Sequence, residues 1–325
     1  MSAPTLDGTG PAPRPSAVTP AHLARAGITR RRRSGRVKLV VGTICTVLVV
    51  APILLAQVLP LPDPDAQDLG DRLLAPLSGG HLLGTDQLGR DLLSRVLHGG
   101  QVSLAVGVLA VIVSGALGLV LGAAAGYFGG WIDTLVSRLM EAQMSLPLLM
   151  MLLLVVALFG QSIPVITLVI AVAQWPEVAR LTRSLVLVER EKPYVAAART
   201  LGLDKIAILT RHVVPNVLPQ TLLVVLLLLA QAVLLESALS FLGAGPQRPF
   251  STWGRIVSDG QDYIGTAWWL VTAPGLAIVL LVVGVNLVGD ALREGQRVGL
   301  VARLLQRARG ARPVDRVTTT PGRTS

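Results

Sequence analysis

Cysteine is nearly missing from this 325-residue chain: Cys45 is the only one, and it lies in an apolar run. A disulfide within the chain and a thiol-built metal site are therefore excluded. Histidine is also scarce. His22, His81, His98 and His212 are scattered, with no His-x-x-x-His pair or Cys/His cluster, so no structural or catalytic metal centre is expected. Lysine occurs only at Lys38, Lys192 and Lys205, none in a glycine-rich loop. A P-loop needs GxxxxGK[S/T], so that backbone amides and a lysine hold the phosphates; this chain cannot hold ATP in that way. Charged residues make up 15% and aromatics 4%, where a soluble domain carries about 25% charge. No Asp or Glu falls in the middle of an apolar run, which argues against a proton-coupled secondary carrier. No convergent polar set sits at one membrane depth, which argues against an integral-membrane enzyme. No nucleophile or acid–base pair stands in a credible catalytic arrangement, and no internal repeat is visible.

What is abundant is hydrocarbon. The chain is 52% hydrophobic, mostly Leu, Val and Ala, with a mean hydropathy of +0.63. This composition is that of a polytopic membrane protein. Uncharged runs long enough for spans, about 20 residues each, occur at 39–59, within 101–131, across 142–176, at 213–235 and at 263–289. The 142–176 run is too long for one span, and "GQSIP" at 160–164 predicts a tight hairpin within it. Six spans result, with both termini on one side. Pro147 and Pro274 lie inside helical runs and are expected to kink them. Trp268 and Trp269 suit an aromatic belt at the outer end of the last span.

The net charge of +10 is a topology signal. Eight Lys/Arg precede residue 39, eight follow Asp290, seven lie in 177–212, and Arg138 sits before the third span. The other side carries only Arg72, Arg90, Arg95, Arg248 and Arg255. The bias places both tails and the 177–212 insert in the cytoplasm, with the basic tails against anionic lipid rather than nucleic acid. Residues 1–37 are Pro/Ala/Arg-rich and precede an apolar run of full span length, which predicts a tail and not a cleaved signal. The organisation expected is a basic tail at 1–37, disordered, and a first span at 38–60. An outer segment at 61–101 follows, with a short amphipathic helix carrying the i,i+4 pairs Asp86–Arg90 and Asp91–Arg95. A five-span core at 102–292 and a second basic tail at 293–325, disordered from about 296, complete it.

The stretch "EREKPYVAAARTLGLDKIAILTRHVVPN" at 189–216 interrupts the hydrocarbon on the inner side. Pro193 suits a first helical turn, 194–201 is alanine-rich, Gly202 suits a left-handed terminator, and Asp204 can cap a second short helix ending near His212. Pro215 is expected to end the insert. Ala196, Ala197 and Ala198, with Val195, Leu201, Ile206 and Leu209, make its surface small and apolar where polarity is expected. The residues alone allow either a knob for a groove on a cytosolic partner or an amphipathic helix in the lipid interface.

The same stretch resembles the EAA loop of binding-protein-dependent ABC transporter permeases. Ala197, Ala198, Gly202, His212, Pro215 and Asn216 fall at the family spacing without a gap. The chain departs from the pattern at Ala196, where the family usually has Glu, and at Ala207, where Arg is common. "HLLGTDQLGRDLLSRVLHGGQVSL" (81–104), "AGYFGGWID" (125–133) and the 236–294 stretch beginning "ESALSFLGAG" resemble the C-type subunit of dipeptide and oligopeptide permeases. The resemblance covers residues 38–295. It implies an all-α type I importer permease of six transmembrane helices in the cell membrane. It also implies a B-type permease partner, two cytosolic ATPases that bind ATP and Mg, and an extracytoplasmic binding protein that delivers peptide. The outer loop at 241–254 and the segment after the first span would face that binding protein. On this resemblance, Tyr194, Ala197, Ala198, Gly202, Asp204, His212, Pro215 and Asn216 couple to the ATPase. Nickel or another small solute is the alternative cargo, because C-type subunits share these motifs.

Further candidates stand outside the insert. Ser114, Gly118, Gly122 and Gly126 recur every four residues and permit close helix packing, within the chain or against a partner permease. Gln231, Glu236 and Asn286 lie at or near span ends and are the candidates for a pathway or gate.

Overall fold

The computed structural model describes residues 20–247 and 249–310, with side-chain surroundings for 35–247 and 249–294. Residues 38–293 form one compact unit, and the described parts of 1–37 and 294–325 form the other. The expectation of disordered tails falls, for 1–19 and 311–325, outside the described residues; 20–37 and 296–310 are helical instead. Among the described residues there is no strand, only helices, the segments that join them and two isolated β-bridges.

The helices are α1 (Pro20–Leu55), α2 (Leu92–Phe128), α3 (Gly130–Met144), α4 (Leu148–Phe159) and α5 (Ile163–Glu189). They continue as α6 (Pro193–Thr200), α7 (Lys205–Ile208), α8 (Val214–Phe241), α9 (Trp253–Gly260) and α10 (Trp269–Gly310). Five helical stretches among the described residues are long and apolar enough to cross a membrane, and a sixth is added if the bent pair α3/α4 counts as one span. The architecture is thus the all-α membrane fold expected.

The third span differs in form from its expectation. α4 has 12 residues, about 18 Å at 1.5 Å per residue, too short for a hydrocarbon layer of about 30 Å. It bends by 91° from α3. Pro147 does not kink a continuous helix here; it forms the N-cap of α4, because it has no N–H and drives the preceding residue out of the helical region. Pro176, where the fourth span was expected to end, lies inside α5, which runs on to Glu189. The hairpin at 160–164 forms as expected: Gly160 has φ +94° and the Ser162 side chain accepts from Val165 N.

The small-residue stripe of α2 faces α5. A Cβ on Gly118 would stand 2.4 Å from Val178 Cβ, one on Gly122 2.4 Å from Ala179 O, and one on Gly126 2.8 Å from Arg183 O. Ser114 is fully buried on the same line. Only hydrogen fits between the two backbones, so these glycines set the helix separation inside the chain. α8 joins the pair through the contact between the Thr182 and Thr221 hydroxyls and through Gln174 Nε2, which donates to Leu228 O at 3.2 Å.

The segment between α1 and α2 is knotted by buried charge. The expected amphipathic helix is absent; among the described residues of 61–91 the only helical turn is Leu69–Asp71. Asp86–Arg90 is an ion pair, Nε to Oδ2 at 2.7 Å, but within a turn, with side chains 5% and 1% exposed. Asp91 does not pair with Arg95. It caps α2 by accepting from Ser94 N, and it meets His81 Nδ1 at 2.8 Å. Arg95 instead pairs with Asp86 and reaches Asp259 and Ser251, some 160 residues away. Trp253, fully buried, donates from Nε1 to Val96 O at 2.8 Å. Of the two belt tryptophans only Trp268 is exposed; Trp269 is buried and donates to Thr85 O.

Candidate functional site

The 189–216 insert leaves the C-terminal end of α5 and returns as α8. Its two helices form from local rules. Pro193 occupies the first turn of α6, where the missing N–H costs nothing. α6 ends at a left-handed residue, Gly202, with φ +74°. The Asp204 carboxylate accepts from Ile206 N and Ala207 N and starts α7. The insert does not end at Pro215. α7 passes through a wide turn at Leu209–Val213, in which Val214 N–H donates to Leu209 O five residues back, and Pro215 sits in the first turn of α8. The extra residue in that turn lets the helix continue past a proline.

The insert has a buried base and a free tip. Val195, Ala198, Ile208, Leu209, Val213 and Val217 pack with Ala123, Tyr127 and Val186 of α2 and α5. Ala196, Ala197 and Gly202 are exposed, as are Leu201 (78%) and Ile206 (61%). The expected docking residues thus divide. Ala197, Gly202 and Asp204 lie on the tip. Ala198 is buried in the base, and Pro215 is exposed at the return.

Tyr194, His212 and Asn216 belong to a polar brace across the base. The Tyr194 hydroxyl donates to Glu189 Oε1 at 2.9 Å, with His212 O at 3.4 Å, and accepts from Asn216 Nδ2 at 3.2 Å. Asn216 Nδ2 also donates to His212 O at 2.7 Å, so His212 serves through its backbone carbonyl. Burial first, and then the hydrogen bond to Glu189, push the phenol above the usual tyrosine pKa, so it remains a donor at neutral pH. Lys192 Nζ closes on the second Glu189 oxygen at 2.6 Å. Arg190 Nη1 donates to Gly126 O at 2.7 Å, tying the corner to the end of α2. Arg199 lies over the Tyr127 ring at 5.8 Å.

Sequence reasoning did not find Glu189, Lys192 and Arg190 as the other half of this brace. The signal available was the charge alternation "EREK" beside Pro193. It also missed the bidentate pair of Arg183 with Asp133, which clamps α3 to the C-terminal part of α5.

The three expected pathway residues do not converge. Glu236 is fully buried near the C-terminal end of α8 and accepts from Ser240 Oγ at 2.6 Å. Gln231 is half-buried. Asn286 is exposed and donates to Val282 O of its own helix at 2.8 Å. An apolar crevice of about 600 Å³ does open between α1, α2, α8 and α10, with Gln57 and Gln101 on its lining. Among the described residues no group of three or more His, Cys, Asp or Glu is placed to hold a metal ion.

Residues 118–297 match the sequence profile of the family described as binding-protein-dependent transport system inner membrane component. A putative peptide transport system permease protein of Brucella suis is 38% identical over 267 residues, 82% of this chain and 90% of that protein. A di/tripeptide transport system permease protein of Pseudomonas aeruginosa is 37% identical over 290 residues, 87% of this chain and 94% of that one. A probable D,D-dipeptide transport system permease protein of Escherichia coli is 37% identical over 255 residues, 78% and 85% of the two.

Proposed function

The chain belongs to the family of inner membrane components of binding-protein-dependent transport systems, and we propose that it forms half of a translocation pathway for small peptides and receives its drive through residues 189–216. It is a multi-pass membrane permease subunit, and the hydrolysis that powers it belongs to separate ATPase subunits that bind ATP and Mg. Both termini and the insert lie in the cytoplasm. The other half of the pathway is a related permease, and an extracytoplasmic binding protein delivers the cargo. The peptide assignment follows the relatives' names.

The observation that carries this reading is the division of the insert into a braced base and an apolar tip. Leu201 and Ile206 are exposed beside two alanines and a glycine that add almost no bulk. Each such side chain contributes about 1.5–3 kcal/mol when buried, which favours a shallow seat on a partner protein. The base is fixed to α2 and α5 by packing, by Arg190 and by the Tyr194–Glu189 bond. A push on the tip therefore moves the inner ends of the spans and is not absorbed within the loop. In the cycle we propose, ATP binding closes the two ATPases, their closure shifts the insert, and the bundle opens outward to accept peptide. Hydrolysis resets it.

The test is complementation of a strain deleted for this transporter. Cells expressing the wild-type chain should take up labelled di- and tripeptides, and the tagged chain should bring down a second permease and an ATPase. Leu201→Asp should insert normally but recover no ATPase and support no uptake. Normal peptide uptake by Leu201→Asp, or uptake of nickel but of no peptide by wild type, would contradict the assignment.

A further inference from the structure

Gln143 joins two interruptions in neighbouring helices. Pro176 has no N–H, so the carbonyl of Val172, four residues earlier in α5, loses its helical donor. Gln143 Nε2 donates to that carbonyl at 2.7 Å and to Ala173 O at 3.1 Å. Its Oε1 accepts from Trp175 Nε1 at 2.9 Å. The amide orientation is fixed, since a flipped amide would set oxygen against two carbonyls. Gln143 also lies two residues before the 145–147 break at which α3 and α4 bend by 91°. The break between α3 and α4 and the missing helical hydrogen bond inside the continuous α5 therefore lie at the same place, and one side chain satisfies the backbone there.

The packing on either side separates into two blocks. Toward the insert, Val136 and Met140 of α3 pack with Trp175 and Ala179 of α5, and Asp133 holds Arg183. Away from it, Leu152 and Val156 of α4 pack with Ile166, Val169 and Ile170 of α5. The first block is the one tied to the insert, because α5 ends at Glu189, the acceptor of the Tyr194 brace. An exposed carbonyl in hydrocarbon is costly, so a hinge at Pro176 needs a donor able to follow the motion; a side-chain amide can rotate with it, whereas a backbone N–H cannot.

We propose that Gln143 is the pivot of the transport stroke: α3 and the inner part of α5 swing together about it, while α4 and the outer part of α5 stay packed. It is a positioning residue. It touches no cargo, and it sets how much insert movement reaches the outer half of the bundle. The proposal rests on the reading that the insert receives the drive.

The experiment uses the assembled transporter in liposomes, with its second permease, ATPases and binding protein. Peptide molecules moved per ATP and the thermal unfolding midpoint are measured for wild type, Gln143→Leu, Pro176→Ala and the double variant. Pro176→Ala restores a backbone donor to Val172. Gln143→Leu should lower both the midpoint and the transport ratio, the ratio by about fivefold, in line with one lost hydrogen bond. Pro176→Ala should raise the midpoint yet lower the ratio, because the hinge is stiffened. The double variant should recover the midpoint while its ratio stays low. Recovery of the wild-type ratio in the double variant would overturn the proposal, since Gln143 would then only satisfy a carbonyl. An unchanged ratio in Gln143→Leu would overturn it equally. If Gln143→Leu alone does not assemble, the double variant and Pro176→Ala decide. Leu201→Asp, run in parallel, reports separately on whether the insert is the input.

Discussion

Substitutions at Gly202 separate backbone strain from docking by their rank order. Gly202 has φ +74°, and a Cβ built on it meets no atom of this chain within 4 Å. The chain therefore objects to a side chain only through the dihedral. For an ordinary L-residue that conformation costs about 1–2 kcal/mol, and Asn tolerates it better than Ala because its side chain bonds locally. If Gly202 matters only for shape, Gly202→Asn should transport better than Gly202→Ala. If the tip seats against a partner, the larger Asn meets that partner's surface, and the order reverses. A steric penalty of about 1.4 kcal/mol at the seat corresponds to a tenfold loss of ATPase affinity. The assay is ATP-driven peptide uptake by the assembled transporter in liposomes, paired with the affinity of the ATPase for the permease pair. We expect wild type to exceed Ala, and Ala to exceed Asn by about tenfold or more. Uptake by Gly202→Asn equal to or above that of Gly202→Ala would refute the docking argument.

Tyr194→Phe removes the hydroxyl shared by Glu189, His212 and Asn216. Amide exchange within 193–213 should rise by about tenfold, as expected for one hydrogen bond to a charged group, while the spans stay protected. Since the phenol's pKa lies above its ordinary value, the brace's contribution is fully present below about pH 10 and is lost only as pH rises through the folded-state value. The exchange of the wild-type insert, corrected for intrinsic rates, should accordingly be flat from pH 6 to about 9. Gly122→Val forces apart two backbones that approach closely at Ala179 O; it should cost about 1–3 kcal/mol or more, seen as a lower unfolding midpoint in detergent. Gly275→Ala, whose Cβ meets nothing within 4 Å, should leave the midpoint unchanged or raise it. Asp86→Asn leaves Arg90 and Arg95 buried without their shared carboxylate. Breaking such a pair costs about 3–5 kcal/mol, so the variant should fail to accumulate in membranes, whereas exposed Asp65→Asn should accumulate normally.

What could be read from the sequence was what local chemistry determines. Pro193, Gly202 and Asp204 each act within a turn of themselves, and the insert's first helix and the start of its second formed where those residues placed them, whereas the second does not end near His212 but runs on through a wide turn into α8. The spacing of Gly118, Gly122 and Gly126 fixed one face of α2, though only the structure identified α5 as what lies against it. The failures came where a distant group supplied the deciding interaction. Asp91 and Arg95 have the spacing of a helical pair, but Asp91 is needed as a cap and Arg95 finds Asp86 and Asp259 instead. Pro176 resembles a helix end until Gln143, 33 positions earlier, supplies the missing donor. Pro215 resembles a terminator until a wide turn absorbs it. Glu236 lies close to a span end in the sequence, and only the structure shows that it is fully buried.

The central claim is that the exposed tip of the insert lies in the cytoplasm against an ATPase. The direct measurement replaces Cys45 with serine, introduces Ala197→Cys as the sole thiol, and applies a membrane-impermeant maleimide to intact and opened cells. Ala197 is exposed on the tip, so the thiol should react only in opened cells, and its labelling should fall when the ATPase is present. Labelling in intact cells, or labelling from within that the ATPase does not diminish, would contradict the account.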